Sequence, residues 1–223
     1  MRTDVVQRLR ITFAVDDPLS YISVLDMGRL WERLLRRARV PIAYSQGFNP
    51  HPRMQFATAL PVGYQSDCEV IDLLLAEALS PDDLAVMVTP QCPPGLSILD
   101  VREVPVRAAA PQSTMQEAHY HVRVCGASEA AEFKTALNRL MARDTIIRQR
   151  RKKGKLVDYD LRPLILDVRY LSDHNDCHEL SMVLRCGSQG AGRPEEILDE
   201  LGLDVARYTI RRTRLVWEEE LAS

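Results

Sequence analysis

The chain is 223 residues long, 46% apolar and 27% charged, with a formal net charge of −2. That size is ample for a hydrophobic core and the balance excludes wholesale disorder. A slightly negative protein is not a generally basic nucleic-acid binder, so any such role must rest on a local patch.

The first element alternates: Leu9, Ile11, Phe13 and Val15 on one face, Arg8, Arg10 and Thr12 on the other. This predicts a half-buried strand. After Asp16-Asp17-Pro18-Leu19-Ser20, a helix is expected with Tyr21, Val24, Gly28, Trp31, Leu34, Leu35 and Ala38 on one side, ended by Pro41. Two runs, Met54 to Leu60 and Cys68 to Leu75, read as a strand pair joined by a turn holding Pro61 and Gly63. Ser80-Pro81-Asp82-Asp83 combines a capping hydroxyl, an N1 proline and first-turn acids, which start a helix. Leu96 to Val106 supplies a fourth strand.

The order then repeats. Tyr120, Val122 and Val124 alternate with His119, His121 and Arg123; a helix from about Ser128 buries Phe133, Leu137, Leu140 and Met141. Strands follow near Leu164–Tyr170 and Glu179–Arg185, then a helix opened by Pro194-Glu195-Glu196 and closed at Gly202, then a strand over Arg207–Trp217. The pattern predicts an α+β protein of two tandem ferredoxin-like βαββαβ units with antiparallel sheets. Residues 1–107 and 119–223 form the halves, and 108–118 the connector.

Ser45-Gln46-Gly47-Phe48-Asn49-Pro50-His51-Pro52-Arg53 is a stiff polar loop. Its prolines forbid helix, and Gly47 allows a close backbone approach. It reads either as a ligand or partner site or as a structural turn. Arg29, Arg33, Arg36 and Arg37 share a helix face that reads as solvated, unless it adjoins Arg53, when phosphate binding gains weight. The densest charge run is Arg148-Gln149-Arg150-Arg151-Lys152-Lys153-Gly154-Lys155, expected as a loop. With Arg162, and with the helix start at Arg193-Pro194, it would make a phosphate or RNA site; the alternative is a flexible charged hairpin. Asp173-His174-Asn175-Asp176-Cys177-His178 lacks the spacing of a complete metal site and reads as a hairpin loop. No nucleophile elbow, phosphate-binding glycine loop or dinucleotide fingerprint occurs, so no catalytic residue is assigned.

The five cysteines (Cys68, Cys92, Cys125, Cys177, Cys186) are scattered without a paired motif, which suits reduced thiols. They offer no trio for a cluster. Met1-Arg2-Thr3-Asp4-Val5 lacks the apolar run of a signal peptide, and no stretch approaches the ~20 apolar residues of a membrane span, so a cytoplasmic protein is expected.

Several stretches resemble the radical SAM-linked protein family. These are Leu25-Asp26-Met27 leading into Leu34-Leu35-Arg36-Arg37-Ala38, the run Pro41 to Arg53 with Leu60-Pro61-Val62-Gly63, Val157 to Ile165, Arg193 to Leu198, and Arg212-Thr213. The resemblance implies association with a radical SAM enzyme, separate or fused, that carries S-adenosylmethionine, an iron–sulfur cluster and often a cobalamin-binding type of domain. It also implies gene proximity to an RNA-processing ribonuclease. Val24 and Arg211 stand where the family usually has histidine. The expectation is an accessory protein with no cofactor of its own, presenting RNA to that partner. The competing classes are an RNA-processing or RNA-modifying enzyme and a small-ligand module.

Overall fold

The computed structural model describes residues 4–126, 129–152, 154–187, 190–203 and 207–221. The chain divides into two units, Met1–Thr114 and Met115–Ser223. The first runs β1 (Gln7–Val15), α1 (Val24–Arg37), β2 (Met54–Phe56), β3 (Tyr64–Leu75), α2 (Pro81–Val88) and β4 (Leu96–Val104). β1 pairs antiparallel with both β3 and β4, and β2 adds to β3, giving the order β4-β1-β3-β2. The second runs β5 (Met115–Cys125), α3 (Ala130–Met141), β6 (Ile147–Lys152), β7 (Lys155–Asp160), β8 (Ile165–His174), β9 (Cys177–Arg185), α4 (Pro194–Glu200), β10 (Arg207–Trp217) and α5 (Glu218–Leu221). Its sheet order is β10-β5-β9-β8, all antiparallel, with β6 and β7 as a separate two-stranded hairpin. Both units thus have the ferredoxin-like order, the second with a hairpin inserted after its first helix. β5 begins at Met115, inside the expected connector.

α1 starts where Ser23 stands ready to cap it: its side chain accepts from the Asp26 backbone amide at 3.2 Å. The helix buries Met27, Trp31, Leu34 and Leu35 against the sheet, and Trp31 meets Phe13 edge-on at 5.0 Å. Tyr21 and Val24, expected on that face, are exposed: Tyr21 belongs to a separate 3-10 turn, Leu19–Tyr21, and Val24 is the first residue of the helix. The second core gathers Tyr120, Val122, Val124, Phe133, Leu137, Leu180, Met182 and Ile197.

Two further expectations are corrected. The polar face of β1 is not solvated: Arg8 is 3% exposed and bonds Asp72, while its guanidinium donates to the Ala108 and Ala109 carbonyls at 2.6 and 3.0 Å. The segment after β4 has folded over that face. Nor are all thiols reduced: Cys125 and Cys177 stand directly opposite each other on β5 and β9 and are joined in a disulfide. Sequence spacing could not show this, since the two are 52 residues apart and meet only through strand register.

Candidate functional site

The face of α1 opposite its buried stripe carries Arg29, Arg33 and Arg36, at spacings that bring their side chains together. The loop after the helix folds back on itself. Tyr44 and Pro52 form an isolated bridge, the Ser45 amide donates to the His51 carbonyl at 2.8 Å, and the His51 amide donates to Ser45 Oγ at 2.9 Å. Arg53 N–H donates to the Ala43 carbonyl at 2.8 Å, which fastens the loop's exit beside its entrance. Helix and loop enclose an open cleft of about 400 Å³ lined by Arg29, Glu32, Arg33, Arg36, Tyr44 and His51, with Pro50 and Pro52 as a rigid rim.

The cleft is cationic. Arg29 pairs with Asp26 at 3.0 Å, and hydrogen bonds from Ser23 and then Arg29 hold the Asp26 carboxyl below its ordinary pKa. Arg33 and Arg36 form no salt bridge with any described residue, and Glu32 is the one carboxylate among the lining side chains. His51 Nδ1 lies 4.0 Å from Glu32 Oε1.

Of the loop residues expected to bind, His51 alone lines the cleft. Ser45 spends its hydroxyl holding the loop closed. Gln46, Gly47, Phe48 and Asn49 form an exposed tip on which the Phe48 ring is fully solvated, and Arg53 is exposed but lines no part of the cleft. Gly47 has open space where a Cβ would stand, so no close approach explains it; its φ of +132° does. The arginine stripe is solvent-exposed, as expected, and Arg29, Arg33 and Arg36 of it also form one wall of the open cleft, reached by His51 rather than Arg53.

The basic run takes the hairpin alternative: it forms β6 and β7, with Arg148 opposite Tyr159, Arg150 opposite Val157 and Lys152 opposite Lys155. Gly154, at φ +79°, supplies the left-handed turn residue. Lys153 lies outside the described residues.

The predicted phosphate ligands separate into two groups. Arg148 is consumed by α4: it meets Asp199 at 2.7 Å and Glu200 at 3.1 Å and donates to the Glu196 carbonyl. Arg162 donates to the carbonyls of Arg143, Ile165 and Met141, closing the end of α3. Both are thus engaged within the fold. Arg150, which stacks over the Tyr159 ring at 4.8 Å, and Arg151, Lys155 and Arg193 make no salt bridge with described residues.

The start of α4 is no anion site. Glu196 accepts there from the Arg193 amide and from the Tyr159 hydroxyl, so the helix's own carboxylate occupies the place. Burial first, then the bond to Glu196 and its charge, push the Tyr159 hydroxyl up to about 12.

The register of the second sheet also sets Arg123, Arg169, Arg185 and Arg211 on the face opposite Tyr120, Val122, Leu180 and Met182. Glu179 and Asp167 partly neutralise that face, through Arg123 at 3.5 Å and Arg169 at 2.6 Å. Strand alternation was the signal for this surface. Tyr120, Tyr170 and Tyr208 belong to the helix side, so this face lacks their rings as stacking platforms for bases.

The Asp173–His178 stretch is the tight β8–β9 turn, with Asn175 and Asp176 at φ 51° and 56°. His178 is a core histidine, bonded through Nδ1 to the Tyr170 hydroxyl at 2.9 Å and packed on Phe133. Among the described residues no group of three potential ligands could hold a metal ion.

Residues 8–194 match the model of DUF2344, described as an uncharacterized protein conserved in bacteria. No curated protein matches the chain. Solved structures with a similar fold include a chain of a Cbf5-Nop10-Gar1 complex, at 10% identity and a TM-score of 0.46, covering 92% of this chain and 48% of that one. A chain of an H/ACA RNP bound to a substrate RNA containing 2′-deoxyuridine aligns at 10% identity and a TM-score of 0.45, covering 91% and 47% respectively. The present chain therefore spans about half the length of these solved chains.

Proposed function

The chain belongs to the DUF2344 family, and from that premise we propose that it is an RNA-binding accessory protein acting beside a radical SAM enzyme. The observation that carries the RNA half is the β6–β7 hairpin, where Arg150, Arg151 and Lys155 carry charge that no described carboxylate neutralises. Lys152 and Lys153 adjoin them in sequence. Unpaired guanidinium and ammonium groups on a narrow exposed ribbon are suited to phosphates of a flexible strand, and each contact releases a condensed counterion. Because the whole chain is slightly negative, attraction must come from this patch and not from a long-range field. The partner half rests on the resemblance of the Pro41–Arg53 and Arg193–Leu198 segments to radical SAM-linked proteins. In this reading S-adenosylmethionine, the iron–sulfur cluster and any cobalamin belong to the partner, and the radical chemistry with them.

The test is RNA affinity as a function of salt. Each phosphate contact on a single strand contributes about −0.7 to the slope of log K against log salt. Changing Lys152, Lys153 and Lys155 to glutamine should weaken binding and flatten the slope by about two units if all three make contact. An affinity and slope that ignore the triple substitution would overturn the hairpin's assignment. Co-purification with the radical SAM enzyme, followed by sequencing of bound RNA, tests the partner.

A further inference from the structure

The hairpin leaves the α1 cleft unexplained. Its arginines come from a helix whose opposite face is locked in the core by Trp31, Leu34 and Leu35. Their backbone positions are therefore rigid. The facing wall is a loop closed by Ser45, His51 and Arg53 backbone bonds and stiffened by Pro50 and Pro52. Two of the guanidinium groups, on Arg33 and Arg36, form no salt bridge with a described residue, though Arg33 lies close enough to stabilise the Asp26 carboxylate, and a third, on Arg29, is paired with Asp26. The Tyr44 hydroxyl and the His51 imidazole complete the polar lining.

From this we infer that the cleft between α1 and the Tyr44–Arg53 loop binds a phosphate monoester, held by Arg33 and Arg36 with Arg29, Tyr44 and His51 around it. A terminal phosphate suits the site better than an internal diester on two counts. A dianion offers three non-bridging oxygens to a fork of guanidinium groups, where a diester offers two. The lining sets three guanidinium groups against Glu32, with Asp26 at the edge engaging Arg29, so the cleft keeps an excess of positive charge that favours the more highly charged ligand. Glu32, on the same wall, repels such a ligand. The same chemistry has two sources, the 5′-phosphate end of an RNA and a small phosphorylated metabolite. In the first case the inference deepens the RNA reading; in the second it stands apart from it.

Titration of the full-length protein with uridine 5′-monophosphate and with inorganic phosphate, at low ionic strength, should give saturable binding. Arg33→Gln/Arg36→Gln should weaken it at least tenfold with an unchanged melting temperature. Glu32→Gln should strengthen it severalfold, a sign that a merely structural function for these side chains would not produce. The glutamine triple variant of Lys152, Lys153 and Lys155 should leave monophosphate binding intact. This separates failure of the cleft from failure of the hairpin. A 5′-phosphorylated oligoribonucleotide that outbinds its 5′-hydroxyl twin, with the preference lost in the double arginine variant, identifies RNA ends as the source. Equal binding of the two oligomers alongside saturable monophosphate binding identifies a small metabolite. Absence of saturable monophosphate binding, or binding that the double arginine variant does not change, overturns the inference.

Discussion

Asp72 has no exposed surface, yet it accepts from Arg8 Nε at 2.8 Å and from Arg10 Nε at 2.7 Å, and Arg8 reaches on to two backbone carbonyls. Two guanidinium groups and one carboxylate are thus sealed together. Such a group is costly to assemble and far costlier to break, because the survivors are left buried and unpaired. Asp72→Asn should cost about 3–5 kcal/mol in urea unfolding. Simultaneous replacement of the trio by apolar residues should cost much less. Tyr159 gives a second test. Its hydroxyl is pushed up to about 12 by burial first and by Glu196 second, against about 10 in an unfolded chain. The folded state then holds a proton that the unfolded state gives up. The stabilisation is complete below about pH 10 and is lost as pH rises through about 12. Tyr159→Phe should flatten the fall in stability measured over that window. Some slope will remain, since burial raises Tyr170 and Tyr208 in the same direction.

At the scale of elements, the instructive piece is the β6–β7 hairpin. Arg148-Gln149-Arg150-Arg151-Lys152 has no apolar alternation and reads equally as a basic loop or a charged hairpin; it forms a strand of a hairpin. What holds it is remote in sequence: the acids of α4, through Arg148 and Tyr159. Arg148→Ala should therefore speed amide exchange across residues 147–160 while the main sheet of that unit keeps its protection. α1 shows the opposite case, since its start is written locally in Ser23 and Asp26. Ser23→Ala should cost about 1 kcal/mol in unfolding experiments.

Over the whole molecule, one strand order solves the same problem twice: each antiparallel sheet buries one face under helices. The five cysteines were legible as a set without cluster spacing, and the structure then removes Cys125 and Cys177 into a disulfide. Alkylation in denaturant without reductant should label Cys68, Cys92 and Cys186, and with reductant all five. Opening the bond should cost up to about 4 kcal/mol, the chain entropy of a loop this long. Anaerobic reconstitution with iron and sulfide should give no stoichiometric four-iron cluster. A thiolate-to-iron absorption band with four irons per chain would assign the cluster to this protein and not to its partner.

The sequence by itself determined the repeated βαββαβ order, the capped starts of α1 and α2, and the apolar alternation of β1 and β5. Each of these depends on neighbours a few residues apart. It also marked the Tyr44–Arg53 loop as unusual, and His51 within it. Only the tertiary structure decided that Arg8 would be buried, that Cys125 would face Cys177, that Arg148 and Arg162 would be spent on packing, and that the α1 arginines would wall a cleft. The physical reason is common to all of them. A charged side chain has no preferred surroundings readable from its neighbours; its environment is set by whichever distant segment folds against it.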